Sequence, residues 1–215
     1  MKNSVALGAY LKQATRTEHQ QLDQHPRLSP LMHSALQLSD YQSALTGLYG
    51  GQVALEAAVQ AGLERLELAY PLVLRSPALV RDLGALNVAL PNLNCLLYPR
   101  ILQTSTLNIR TVSQLIGALY VLEGAKLGGQ VIARNVQRRL GGQVAGQVPS
   151  EFFTGAQSEA VEGQSSVSDS WVQFWVFAEQ HCPEHQWPLA ALAAQQAFQL
   201  FLKSLNAPSS TDVGD

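Results

Sequence analysis

Residues 111–140 read TVSQLIGALYVLEGAKLGGQVIARNVQRRL, and this stretch decides the fold class. Apolar residues recur at steps of three and four up to Leu140, with no turn signal before Gly141-Gly142; that is the period and the stop of one long, mostly buried helix. Three glycines, Gly124, Gly128 and Gly129, interrupt its cover of side chains. Each interior glycine costs a helix on the order of 1 kcal/mol relative to alanine, so something must offset them. Spacings of i, i+4 and i+5 predict all three near one face, as a strip without side chains. Two uses fit such a strip. A second helix can pack closely on it in the small-xxx-small manner, or the weakened helix can kink and let a flat ligand approach its backbone.

Outward from this helix the same period fills most of the chain. A first helix is expected from about Ser4 to Gln24, closed by Pro26, and a short helical turn from Leu31 to Leu36. Ser39-Asp40 reads as the cap of a long helix carrying Tyr41, Leu45, Leu48, Leu55, Val59 and Leu63, bent at Gly50-Gly51. Ser76-Pro77 opens another helix through about Leu86. Residues 91–100 and the Gly/Ser-rich 155–168 read as loops. Two last helices are expected over about Asp169–Gln180 and Pro188–Leu205. With no internal repeat and no linker, the reading is one all-α domain over residues 1–205 and a disordered tail over 206–215.

Composition narrows the function classes. The 215 residues are 47% hydrophobic and 14% charged, too apolar for a disordered chain. A balance of 14 Lys+Arg against 16 Asp+Glu gives no pull toward nucleic acid or an anionic membrane, so neither is expected as a partner. No apolar run reaches the length of a spanning helix, and MKNSVALGAY lacks the parts of a secretion signal. Cys95 and Cys182 form no CxxC pair. The expectation is a soluble cytoplasmic protein.

His19 is the second irregularity. It sits inside the amphipathic segment TRTEHQQLD with Asp23 one turn on and Lys12 two turns back, all on one face. A neutral imidazole binds a metal through one nitrogen when an acceptor holds the other, and Asp23 is placed to be that acceptor. Lys12, about 10 Å along the axis, is placed to pair with a carboxylate at the edge of a large ligand centred over His19. An ordinary solvated stripe of charges explains the same spacing. His25 is near enough to be a rival ligand. His181-Cys182-Pro183-Glu184-His185 offers metal-capable groups, but Pro183 breaks the helix that would align them. His33 reads as a surface residue, and Cys95 as a small core hydrophobe. Trp171, Phe174, Trp175 and Phe177 read mostly as core, with room for one to border a ligand pocket.

Together these segments resemble the heme oxygenase family, particularly the bacterial biliverdin-forming members that accompany bacteriophytochromes. LKQATRTEH, residues 11–19, looks like the family's proximal helix, and GALYVLEGAKLGGQVI, residues 117–132, looks like its distal helix. The resemblance spans residues 5–205 and implies a multi-helix fold with heme sandwiched between a proximal and a kinked distal helix. It implies that His19 is the axial ligand of the heme iron, with Asp23 as its orienting partner and Lys12 as a propionate contact. Gly124, Gly128 and Gly129 would lie over the distal face with Ala125 beside them. It further implies that heme is both cofactor and substrate, cleaved to biliverdin, ferrous iron and carbon monoxide with oxygen and electrons from a separate ferredoxin or reductase; a bacteriophytochrome is a candidate acceptor of the biliverdin. Two departures stand out. Mammalian-type members carry an aspartate where Ala125 stands, and the late helix WVQFWVFAEQH has none of the lysines or arginines that often hold the propionates. Arg134 or Arg138 are the candidate substitutes. A non-catalytic heme-binding or interaction protein on the same fold is the alternative, with Ala125 as its sign.

Overall fold

The computed structural model describes residues 2–90, 107–144, 146–155 and 167–207. Among them are eight α-helices, two short 3-10 turns and no strand. In chain order they are α1 (Lys2–Ala14), α2 (Arg16–Asp23), α3 (Leu38–Leu66), α4 (Ser76–Ala85), α5 (Val112–Leu140), α6 (Glu151–Thr154), α7 (Val167–His181) and α8 (Trp187–Leu205). The all-α reading holds. The expected loop at 91–100, with Cys95, lies outside the described residues, as do most of the loop at 155–168 and the tail from 208 onward.

The first helix is two. Thr15 leaves the helical conformation at φ −102° and ψ 8°, while its Oγ1 donates to the Leu11 carbonyl at 2.7 Å. A threonine that bonds back to the preceding turn loosens that turn. The chain nevertheless continues in nearly the same direction, because Thr15 N–H reaches Leu11 O at 2.9 Å and His19 N–H reaches Thr15 O at 3.0 Å. At the start of α3 the cap is Gln37 rather than Ser39-Asp40. Asp40 sits at the third helical position and accepts the Gln37 N–H at 3.0 Å, completing a capping box. Thr111 and Gln114 form the same device at the head of α5. α7 begins at Val167, two residues before the expected Asp169.

The alanine-rich α8 is the hub, packing on α1, α2, α3 and α5. Its close approach depends on glycines in its partners. A Cβ at Gly117 of α5 would run into the Ala190 carbonyl of α8, and one at Gly51 of α3 would stand 3.0 Å from the Phe201 Cα. Gly51 therefore answers a packing need, and α3 runs as one unbroken helix through Gly50-Gly51. α5 is long and apolar enough to cross a membrane by length and composition, yet 56% of its most apolar window is buried inside the protein. That burial suits a core helix. The four-residue α6, which carries no period of its own, is held from outside: Asp82 of α4 accepts the N–H groups of Glu151 at 3.0 Å and Phe152 at 2.8 Å.

Candidate functional site

Gly8, Lys12, Thr15 and His19 recur at i, i+4, i+7 and i+11, so they form one stripe along α1 and α2. Tyr120, Gly124 and Gly128 form a second stripe along α5, again at four-residue steps. α1 and α5 both pack on α7 and α8, and α2 packs on α8. The two stripes meet neighbouring indoles of α7. The Trp175 ring tip lies 3.3 Å from where a Cβ of Gly8 would be, and the Trp171 tip lies 3.9 Å from a Cβ at Gly124. The two indoles meet edge to face at 5.2 Å. Tyr120 adds a second tie, packing on Trp171 and Trp175 at 6.1 Å each. Its hydroxyl approaches that of Thr15, which tempers the rise in its pKa caused by burial.

His19 stands at the open end of the first stripe. Its Nδ1 lies 2.9 Å from Asp23 Oδ2, and both side chains are well exposed, at 62% and 65%. The imidazole also meets the ring of Phe198 in α8 edge-on, at 5.8 Å between centroids. A proton on Nδ1 satisfies the carboxylate and leaves the Nε2 lone pair available to a metal. Lys12 is exposed on the same stripe.

The glycines of α5 separate into two roles. A Cβ at Gly128 would have nothing within 4 Å, and one at Gly124 would touch only the Trp171 tip. Both therefore offer bare backbone to a ligand. Gly129 differs from the expectation that all three glycines share a face. Its Cβ would strike the Phe153 carbonyl oxygen at 2.8 Å, so it is the seat of α6 on the far side of α5. One residue is about 100° of helical turn, and i+5 lies well round from i. Ala125 is exposed beside Gly124 and brings only a methyl group.

Other expected candidates fall elsewhere. Arg134 and Arg138 line a groove with Gln130, Gln137 and Thr154 at the α6 side, and Arg138 donates to Asn135 Oδ1 at 2.8 Å; the structure does not bring them to the Gly124–Gly128 strip. His25 has both nitrogens occupied, accepting Arg27 N–H at Nδ1 (3.2 Å) and facing Asn206 Oδ1 from Nε2 (3.3 Å). It closes the end of α2 rather than competing with His19. His181 uses Nδ1 on the Phe177 carbonyl at 2.8 Å.

Sequence reasoning passed over a buried polar cluster that joins α5 to α7. Glu123 is 1% exposed and pairs with Lys126 at 2.7 Å. Ser170 Oγ donates to its other oxygen at 3.2 Å, and the Tyr70 hydroxyl lies against it, so that burial and this carboxylate both push the phenol pKa up. Arg75 is buried nearby over the Phe152 ring at 5.3 Å. Desolvation lowers its pKa to about 10, against the pull of Glu123, Glu56 and Asp82. The signal in the sequence was Glu123 and Lys126 standing three apart in an otherwise apolar run.

The group implied by the resemblance fits these residues: His19 has one nitrogen held and one free, and Gly124 and Gly128 keep the opposing strip bare. The chain is similar in structure to a heme oxygenase from Leptospira interrogans, at 16% identity and a TM-score of 0.69, over 93% of this chain and 98% of that one. It is also similar to heme oxygenase-1 from the cyanobacterium Synechocystis sp. PCC6803, solved in complex with heme, at 15% identity and a TM-score of 0.63, over 93% and 90% of the two chains. No curated protein sequence matches it. The heme oxygenase family model, however, matches residues 5–207, which takes in everything from the His19 stripe to the end of α8, and on that match the chain belongs to the heme oxygenase family.

Proposed function

We propose that the protein binds heme through His19 and cleaves it to biliverdin, ferrous iron and carbon monoxide. The observation that carries this reading is the His19–Asp23 pair at 2.9 Å, set on a stripe that converges with the bare Gly124–Gly128 strip. When bound, the heme supplies both the iron that activates oxygen and the porphyrin carbon that is oxidised. The chain's own residues hold and shape. Asp23 accepts the Nδ1 proton and so fixes the His19 ring with Nε2 outward. Gly124 and Gly128 let the α5 backbone come close to the flat ligand, restricting which part of its edge is reachable. Lys12 offers a cation for a propionate. Gly124 and Gly128 bring no side chain of their own, and the one titratable group on their stripe, the Tyr120 phenol, has its pKa raised by burial, so proton delivery at the two glycines falls to water on this reading.

Electrons come from a separate ferredoxin or reductase, and the biliverdin passes to an acceptor such as a bacteriophytochrome, in a cytoplasmic setting. A second reading, a heme-binding protein without turnover, is favoured by Ala125, which has no hydroxyl or carboxyl to organise water beside Gly124. A hemin titration followed by reductant under air, with iron chelated, separates the two. Saturable one-to-one binding, then loss of the Soret band with appearance of biliverdin, is the expected result. Binding without ring opening under a native-like donor would leave the carrier reading, and absence of binding would return His19 and the glycines to structural roles.

A further inference from the structure

Arg75 follows the apolar run Pro71-Leu72-Val73-Leu74 and stands at the N-cap of α4. Its backbone N–H donates to Glu56 Oε1 of α3, and the residue is only 7% exposed. A guanidinium brings five N–H donors and no acceptor, so burying one calls for partners. The fork made by Nε and Nη2 has none among the described residues. The three carboxylates that attract Arg75 direct their hydrogen bonds elsewhere. Glu56 accepts from Gln52 Nε2 and from the backbone N–H groups of Arg75 and Ser76. Asp82 accepts from those of Glu151 and Phe152, and Glu123 from Lys126 and Ser170. Arg81 shows what the same fork does when a partner is present: its Nε and Nη2 hold the two oxygens of Glu151 at 2.9 and 2.6 Å.

Arg75 lines a cavity of about 300 Å³, to which α4 also contributes Arg81, α5 Lys126 and α7 Ser170. Among the described lining residues are these three cations and a single acid, Glu151. Space lies open beside the fork: a Cβ at Gly155 would meet Arg75 Nη2 at 3.6 Å and no other described atom within 4 Å. The volume is at the low end of the roughly 300–1,000 Å³ of small-molecule sites, so it suits one small molecule. A planar pair of oxygens matches the fork bidentately. One negative charge is enough, because Arg81 and Lys126 already hold Glu151 and Glu123; a dianion such as phosphate would add a second charge near Glu56, Asp82 and Glu123. Pro71, Val73 and Leu74 supply hydrocarbon on the same lining. We propose that this cavity binds a small aliphatic monocarboxylate, with its two oxygens on the Nε–Nη2 fork of Arg75 and its chain along Pro71, Val73 and Leu74. None of the lining residues is among those proposed to touch the heme, so the site stands apart from that reading.

The test is a titration of the full-length chain with butanoate at constant ionic strength, followed by the Arg75 Nε–H proton resonance. Butanoate should move that resonance downfield and saturate. Butanamide, of the same size without the charge, and inorganic phosphate should each bind at least about tenfold more weakly, the equivalent of one charge-assisted contact. Arg75→Gln should lose butanoate binding by a similar factor when read from the backbone amides, and Arg75→Lys, which keeps the charge and removes the fork, should lose it too. Should neither variant fold, the wild-type resonance and the three probes decide alone. Absence of a saturable shift, equal binding of butanamide or phosphate, or undiminished butanoate binding in a folded Arg75→Gln protein would each overturn the proposal.

Discussion

His19 Nδ1 and Asp23 Oδ2 are 2.9 Å apart across one turn of α2, with 62% and 65% of the two side chains still open to solvent. The pair is thus orientated but not buried. An exposed pair of this kind adds little to stability, so its use lies in setting which nitrogen faces outward. His19→Ala should abolish the histidine-ligated heme spectrum and turnover while leaving the thermal midpoint nearly unchanged. Asp23→Ala should keep the histidine-ligated spectrum and weaken hemin binding by about tenfold, as removal of a ligand's orienting partner commonly does. An unchanged spectrum in His19→Ala would show that another residue is the ligand.

Gly128 and Gly117 sit on the same helix and should respond oppositely to the same change. A Cβ at Gly128 meets nothing within 4 Å, so Gly128→Ala should stabilise the ligand-free protein by roughly 0.5–1 kcal/mol through helix propensity alone. A Cβ at Gly117 meets the Ala190 backbone, so Gly117→Ala should cost about 2 kcal/mol of strain where α5 crosses α8. Thermal melts of the two variants check the signs. A bulkier Gly128→Leu should fold normally but hinder hemin binding, whereas Gly129→Leu, against the Phe153 carbonyl, should unfold more easily.

How far the chain could be read in advance follows from where the causes lie. The period of α5 and its Thr111 cap are local, and its ends were legible to within a residue or two. The break at Thr15 was not, because any helical threonine has the same carbonyl available and only the observed bond to Leu11 shows that it is used. α6 depends on Asp82, far away in the chain. Gly128 and Gly129 are adjacent and chemically identical; what separates them is Phe153, brought from beyond the end of the helix. The His19–Asp23 pair could be anticipated because it spans a single turn. The indole wall could not, since aromatic residues at helical spacing mark a core face whether or not their tips reach Gly8 and Gly124.

Cys182 is buried, and burial raises its thiol pKa despite the opposing approach of Ser113. A raised pKa means less thiolate at any given pH, and the thiolate is the reactive form. In a Cys95→Ser background, Cys182 of the native protein should react slowly with a disulfide reagent at neutral pH. The rise in rate should set in at a more alkaline pH than for a free thiol, and denaturant should restore the ordinary profile. A native-state profile that matches that of a free thiol would contradict the burial.

Glu123 and Lys126 are bonded at 2.7 Å with only 1% and 10% of their side chains exposed. Removing one partner of a buried pair leaves an uncompensated charge, which is far worse than removing both. Lys126→Met should therefore cost about 3 kcal/mol in urea denaturation, somewhat relieved because Ser170 still donates to the Glu123 carboxylate. Adding Glu123→Gln should recover much of that loss, since a neutral amide no longer needs the cation. Neither Glu123 nor Lys126 is among the residues proposed to touch the heme, so hemin affinity in the double variant should stay within about threefold of wild type, a difference of under 1 kcal/mol. A double variant as unstable as the single one would mean that Lys126 acts through packing of its stem rather than through its charge.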